Sequence, residues 1–190
     1  MNRFYAMISR MKYIDRWGLM NNTKTENISE HSLETAILAH ALVSIANVRL
    51  GERLDADKAA VIALFHDAGE IITGDMPTPI KYYNPAIKNA YKAVEKVAEE
   101  RLISMLPEDL QEVYRPVIAN SDEELERYVK AADKLSALIK CIEEVRMGNN
   151  EFLKAKESTE KALEQMELPA LKIFMKECLP SYYLTLDELG

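Results

Sequence analysis

Seven apolar residues in unbroken succession, Ala59-Ala60-Val61-Ile62-Ala63-Leu64-Phe65, run straight into His66-Asp67, with Gly69 and Glu70 just beyond. A segment apolar on every side is normally a buried one. An imidazole and a carboxylate buried at its end are costly unless they are paired or bound to a metal. The chain must therefore fold so that this run enters a core and the polar pair finds partners there. A metal site set into a helical core meets both demands.

Composition says what kind of core is available. A chain of 190 residues suits one domain with a substantial interior. Its 6 Gly and 7 Pro leave little room for the turns of a β-sandwich, and Ala, Leu, Glu and Lys lean it toward helix. The net charge of −7 makes a poor grip for a long nucleic acid, which calls for a basic stripe. A small phosphorylated ligand is compatible, because one arginine or one metal ion can hold one phosphate. No uninterrupted apolar run approaches the roughly 20 residues of a membrane span. The start Met1-Asn2-Arg3-Phe4-Tyr5 opens an amphipathic stretch and not a signal peptide. Cys141 and Cys178 form no CxxC pair, which reads as reduced thiols in a cytoplasmic protein.

Helical periodicity runs almost throughout, and no strand is predicted. A first helix over residues 3–12 puts Phe4, Met7, Ile8 and Met11 on one face. Residues 13–28 are polar and irregular. Ser29 is a suitable N-cap for a long helix to Leu50, with Leu33, Ile37, Ala41, Ser44 and Val48 as its mainly apolar stripe. A third helix is predicted over 57–71, begun by Asp55 or Asp57, and a loop over 72–83 around Gly74, Pro77 and Pro79. Helices over 85–106, 108–119, 122–147, 151–165 and 167–177 follow. The acidic run Asp122, Glu123, Glu124 and Glu126 suits a helix start, and Gly148-Asn149-Asn150 a helix stop. The tail from Pro180 is extended or capping structure. The fold expected is all-α, a single domain.

The chain has three histidines, His31, His40 and His66. His31 and His40 are nine residues apart, about 2.5 helical turns, so they face opposite ways. His40, among alanines, reads as a core histidine. Glu70 is one turn beyond His66 and on the same face. An HD dipeptide arises by chance in roughly one such chain in seven, so it carries little alone. Asp133 alone reads as a boundary carboxylate paired with Lys134 or Lys130, Arg16 as a surface charge, Trp17 as a core anchor, and Lys81 as a solvated lysine. Taken together, His31, His66, Asp67 and Asp133 supply two imidazoles and two carboxylates from three helices. That mixed set suits one catalytic divalent ion of the Co, Mn, Fe, Ni or Zn class.

The order His31…His66-Asp67…Asp133 resembles the signature of the HD-domain phosphohydrolases. Arg16-Trp17, Thr25 to Ser32, His66 to Glu70, the loop Thr73-Gly74-Asp75-Met76-Pro77-Thr78-Pro79-Ile80-Lys81-Tyr82, and Gly148 to Phe152 resemble the bacterial HD-domain 5′-deoxynucleotidases over nearly the whole chain. Gly69 stands where members of that family commonly carry Ser.

The resemblance implies a single HD-type helical domain over residues 1–190. It implies hydrolysis of deoxyribonucleoside 5′-monophosphates, with His31, His66, Asp67 and Asp133 as metal ligands. Glu70 would position or deprotonate the attacking water, or protonate the leaving oxygen. Arg16 would clamp the phosphate. Trp17, Asp67, Asp75, Met76, Pro77 and Thr78 would border the substrate, with Asp75 accepting the 3′-hydroxyl. A homodimer without membrane or long nucleic-acid partners is implied as well. Two other readings stay open: an HD hydrolase of another nucleotide phosphate ester, and an inactive metal-binding HD module.

Overall fold

Every regular element among the described residues of the computed structural model is helical; these residues are 1–81, 83–119 and 122–190, without the side chain of Thr78. Two readings of the sequence thus lie partly outside them, those on Thr78 and Tyr82. At the N-terminus Phe4 and Met11 are buried, as their spacing predicts, in α1 (Phe4–Ile8) and a 3-10 turn (Ser9–Tyr13). The polar segment that follows closes on itself: Ile28 N donates to Ile14 O at 3.0 Å and Arg16 N to Glu26 O at 2.9 Å, around a single antiparallel bridge between Asp15 and Asn27.

α2 (Ile28–Leu50) begins two residues earlier than predicted, because Asn27 and not Ser29 is the cap. The Asn27 carboxamide accepts from Ser29 N and Glu30 N, and Glu30 reaches back in a capping box. The predicted stripe is on the wrong side: Leu33, Ile37 and Val48 are 58%, 62% and 84% exposed. The buried face is instead His31, Thr35, Ala36, Leu38, Ala39, Leu42, Val43 and Ala46. Small residues there let α3 (Ala56–Phe65) and the later helices approach closely. With 23 residues and a mean hydropathy of 1.3, α2 is long and apolar enough on average to cross a membrane, although charged residues interrupt its apolar runs. In this fold it is the central core helix and carries buried polar groups.

Asp55 caps α3 by accepting Lys58 N at 2.8 Å. Within the apolar run Ile62 and Ala63 are buried but Val61 and Leu64 are exposed, so one side of it is open. The predicted helix over 57–71 is interrupted. After Phe65 the chain tightens to three residues per turn, with Ala68 N donating to Phe65 O at 3.0 Å and Glu70 N to Asp67 O at 3.0 Å. Two short helices then occupy the predicted loop, α4 (Glu70–Thr73) and α5 (Thr78–Lys81), separated by Gly74 at φ 75°.

The rest follows the sequence closely: α6 (Pro85–Ile103), α7 (Glu108–Ile118), α8 (Glu123–Arg146), α9 (Leu153–Glu164) and α10 (Pro169–Glu177). Asp122 caps α8, accepting Leu125 N at 3.2 Å, and Gly148 follows its end at φ 87°. The C-terminal tail forms 3-10 turns, Leu179–Tyr183 and Leu186–Glu188. One hydrophobic centre gathers Leu42, Ile62, Ala63, Leu135, Ile139 and Leu171; the other gathers Phe4, Ala68, Leu102, Ile103 and Ile118. His66 and Asp67 lie between Ala63 of the first and Ala68 of the second. Both sides of the turn are therefore anchored in core.

Candidate metal centre

Four donor atoms from three places in the fold converge. His31 Nε2, on α2, is 3.1 Å from Asp133 Oδ1 on α8 and 3.5 Å from Asp67 Oδ2. His66 Nε2 is 3.3 Å from the same Asp67 oxygen and 4.0 Å from Asp133 Oδ1. Those separations suit atoms surrounding one small cation. His66 Nε2 is buried and has no hydrogen-bond partner. A buried nitrogen left in that state calls for a ligand, and an ion fits it. His66 Nδ1 lies 2.7 Å from the Ala63 carbonyl, which can only accept, so Nδ1 carries a proton and Nε2 is the nitrogen turned into the cluster. Burial opposes ionisation of Asp133, but the His31 hydrogen bond and the charges of His31, His66 and Arg16 outweigh it. Its carboxyl is held well below the usual range.

Arg16 is not a surface charge. Its side chain is 13% exposed; Nε donates to Glu26 Oε2 at 3.0 Å and an η nitrogen to Asp67 Oδ2 at 3.3 Å. Burial works against the guanidinium charge, but Asp67, Glu26, Asp133 and Asp75 more than offset it. Trp17 follows at φ 60°, a strained conformation for a bulky residue. Its indole donates to the same Glu26 oxygen at 2.8 Å and packs against Phe152 with ring centroids 5.3 Å apart. Trp17 is thus half-buried and not a core anchor.

Glu70 is buried against this cluster, and its Oε2 has no partner. Burial first, then the charges of Asp67 and Asp75, push its carboxyl up to about 9. Burial likewise raises Asp75, against the pull of Arg16. Met76 and Pro77 are half-buried in the loop beside it. Lys81 is not a solvated lysine: it pairs with Glu95 at 2.8 Å and sits 4.8 Å over the Tyr91 ring, which fastens α5 to α6.

Two other readings are corrected. His40 is exposed and faces Asp57 at 3.4 Å, because α2 turns that side outward. Lys130 pairs with Glu126 at 2.5 Å, and Asp133 turns to the histidines instead.

The sequence reading also passed over several carboxylates. Glu26 gave no signal beyond its place in a polar segment. Glu144 is fully buried at the end of α8, where it accepts Thr23 N at 2.9 Å, Lys24 N at 3.1 Å and Asn149 Nδ2 at 2.8 Å and pairs with Lys140. It clamps the segment that presents Arg16 and Trp17. Glu34 and Ser136 each stand three residues after a candidate ligand, a spacing that places them on the ligand's face.

The fold is the helical bundle of the HD-domain type. The structure is similar to that of an HD-domain phosphohydrolase from Listeria innocua, with a TM-score of 0.82 at 23% identity, over 95% of this chain and 88% of that one. It is also similar to the cyanophage S-2L HD phosphohydrolase DatZ, solved bound to dA and one catalytic Zn2+ ion, with a TM-score of 0.65 at 21% identity, over 95% and 96% of the two chains. The chain belongs to the 5′-deoxynucleotidase YfbR-like family, whose profile matches residues 3–182. It is 48% identical to the 5′-deoxynucleotidase YfbR of Escherichia coli O1:K1 over 192 aligned positions, which cover all of this chain and 96% of the relative.

Proposed function

We propose that the chain is a metal-dependent phosphomonoesterase that hydrolyses deoxyribonucleoside 5′-monophosphates to deoxyribonucleoside and inorganic phosphate. Family membership and the named activity of its relatives support this. So does the dA and catalytic zinc held by a neighbour of the same fold. One observation carries the reading. The Arg16 guanidinium rests on Asp67, itself one of four converging donors, so a phosphate clamp and a metal cluster meet at one point.

His31, His66, Asp67 and Asp133 would hold one divalent ion of the Co, Mn, Fe, Ni or Zn class. Such an ion, when bound, supplies Lewis-acid polarisation and an activated water. Arg16 takes two phosphate oxygens in its planar fork and offsets their charge. Glu70, buried beside Asp67 with one oxygen unpartnered, moves the proton. It takes one from the attacking water or gives one to the departing 5′-oxygen. Trp17, braced on Phe152, offers a flat apolar wall to the sugar and base. Asp75 would accept from the 3′-hydroxyl, with Met76 and Pro77 beside it on the side where a 2′-hydroxyl would stand. Lys81 is tied to Glu95, so Arg16 is left to hold a single phosphate, which favours monophosphates over triphosphates.

The chain acts as one HD domain over residues 1–190. Free thiols at Cys141 and Cys178 accord with a cytoplasmic enzyme, and the charge of −7 with no grip on long nucleic acid. The homodimer contact lies on the outward face of α2 and α3. The His40–Asp57 contact sets these two helices against each other, and counting back from His40 and on from Asp57 brings Ile37 and Leu33 alongside Val61 and Leu64. All four are exposed.

The test is phosphate release from matched deoxyribo- and ribonucleoside monophosphates and from deoxynucleoside triphosphates, with Co or Mn and with chelator. Release from deoxymonophosphates that chelator abolishes is expected. Equal release from triphosphates would favour the broader HD hydrolase, and metal binding without turnover the inactive module.

A further inference from the structure

The two candidate histidine ligands are held by different devices. His66 Nδ1 is fixed by the backbone carbonyl of Ala63. His31 Nδ1 instead meets a side chain, Ser136 Oγ, at 3.0 Å, and Ser136 Oγ donates its proton to Glu34 Oε2 at 2.5 Å. Ser136 and His31 are both fully buried, and Glu34 is half-buried at the outer end of the relay. A serine has one proton. Once it is given to Glu34, the hydroxyl can only accept from His31, and the ring must carry its proton on Nδ1. Nε2 is then the ring nitrogen left for a metal, and it faces Asp67 and Asp133. Thr35 Oγ1, 3.5 Å from Nε2, is consistent with an accepting nitrogen.

We propose that Ser136 and Glu34 are positioning residues that set the tautomer and aim of His31 for metal. The relay crosses from α8 back to α2, so it also locks the two helices that supply His31 and Asp133 to each other. This rests on the metal-site reading above. A carbonyl cannot give up its acceptor character, but this relay can: an amide at position 34 can turn its NH2 toward Ser136, reverse the serine hydroxyl and place the proton on His31 Nε2, from which a metal must displace it.

The experiment is Co2+ titration followed by visible absorption, on the full-length protein and on Glu34→Gln and Ser136→Ala, with imidazole nitrogen NMR of the metal-free forms. Wild type should show a proton held on His31 Nδ1. Both variants should populate the other tautomer and bind Co2+ roughly 10- to 100-fold more weakly. At saturating metal, KM should stay near wild type. Glu34→Gln lies at the half-buried end and keeps the test informative if Ser136→Ala fails to fold. Wild-type Co2+ affinity and tautomer in a folded variant would overturn the relay alone. Absence of Co2+ binding by wild type would overturn the metal site, and the relay with it.

Discussion

Trp17 and Glu26 are joined by a 2.8 Å hydrogen bond from the indole nitrogen to a carboxylate oxygen that also receives Arg16 Nε. One carboxylate thus aims two of the residues proposed to meet the substrate. Glu26→Ala should lower kcat/KM roughly 10- to 100-fold, since a hydrogen bond to a charged group is worth about 1.5–3 kcal/mol. KM should carry more of the loss than kcat, and metal content should be unchanged. Trp17 is the only tryptophan, so its fluorescence reports directly on the freed indole. Unaltered KM and emission would remove Glu26 from this role.

His66→Ala removes a donor whose Nε2 is buried with no hydrogen-bond partner. The variant should fold, lose bound metal by elemental analysis, and release no phosphate. Excess metal should raise the melting temperature of wild type, because an ion that binds only the folded state stabilises it by mass action. A variant that retains stoichiometric metal would contradict the assignment.

Glu144 and Lys140 form a buried pair whose other bonds hold Thr23, Lys24 and Asn149. Glu144→Ala leaves a buried lysine charge unpaired and should cost about 3–5 kcal/mol by urea denaturation. Burial opposes the charge on Glu144, but Lys140, Asn149 and two backbone amides hold its carboxyl well below the ordinary value. Its contribution is therefore present above an unfolded value of about 4.3 and lost as the pH falls toward the folded one. Stability of wild type should fall steeply below about pH 4, and that of Glu144→Gln less so.

Gly69 has φ −58° and ψ −28°, and a Cβ there would meet Ala98 Cβ at 3.7 Å, an ordinary contact. A side chain fits there without strain. Gly69→Ala should stabilise by about 0.4–1 kcal/mol through the unfolded chain. Calorimetry should show a rise of roughly 1–4 °C. A fall in melting temperature would mean that the neighbours on α6 cannot accept a methyl group.

Leu33, Ile37, Val61 and Leu64 offer an apolar face that water does not favour. The double substitution Leu33→Glu and Ile37→Glu should turn a dimer into a folded monomer, as read by light scattering. A dimer that survives it places the contact elsewhere.

Most helices were legible because they rest on local spacing, and the candidate ligands because their residue types suit a metal. Asp55 and Asp122 announced their helices as caps do, and the side chains of His31, His66, Asp67 and Asp133 come together. The face of α2 was not legible. Leucine, isoleucine and valine lie outward while alanines, His31 and Thr35 lie inward, so the helix is apolar nearly all round and its periodicity selects no side. His40 was misplaced for the same reason. Glu26 and Glu144 were missed because their partners are backbone and side-chain groups brought together only by the fold. No spacing rule ties Glu144 to an amide 121 residues away.

The tightened winding after Phe65 decides which neighbour Glu70 keeps. At 3.6 residues per turn, Glu70 would stand above His66, an imidazole that carries no negative charge. At three per turn it stands above Asp67, a carboxylate. That choice adds a like charge to burial in holding the Glu70 proton. In this stretch of chain, helical pitch sets acid strength.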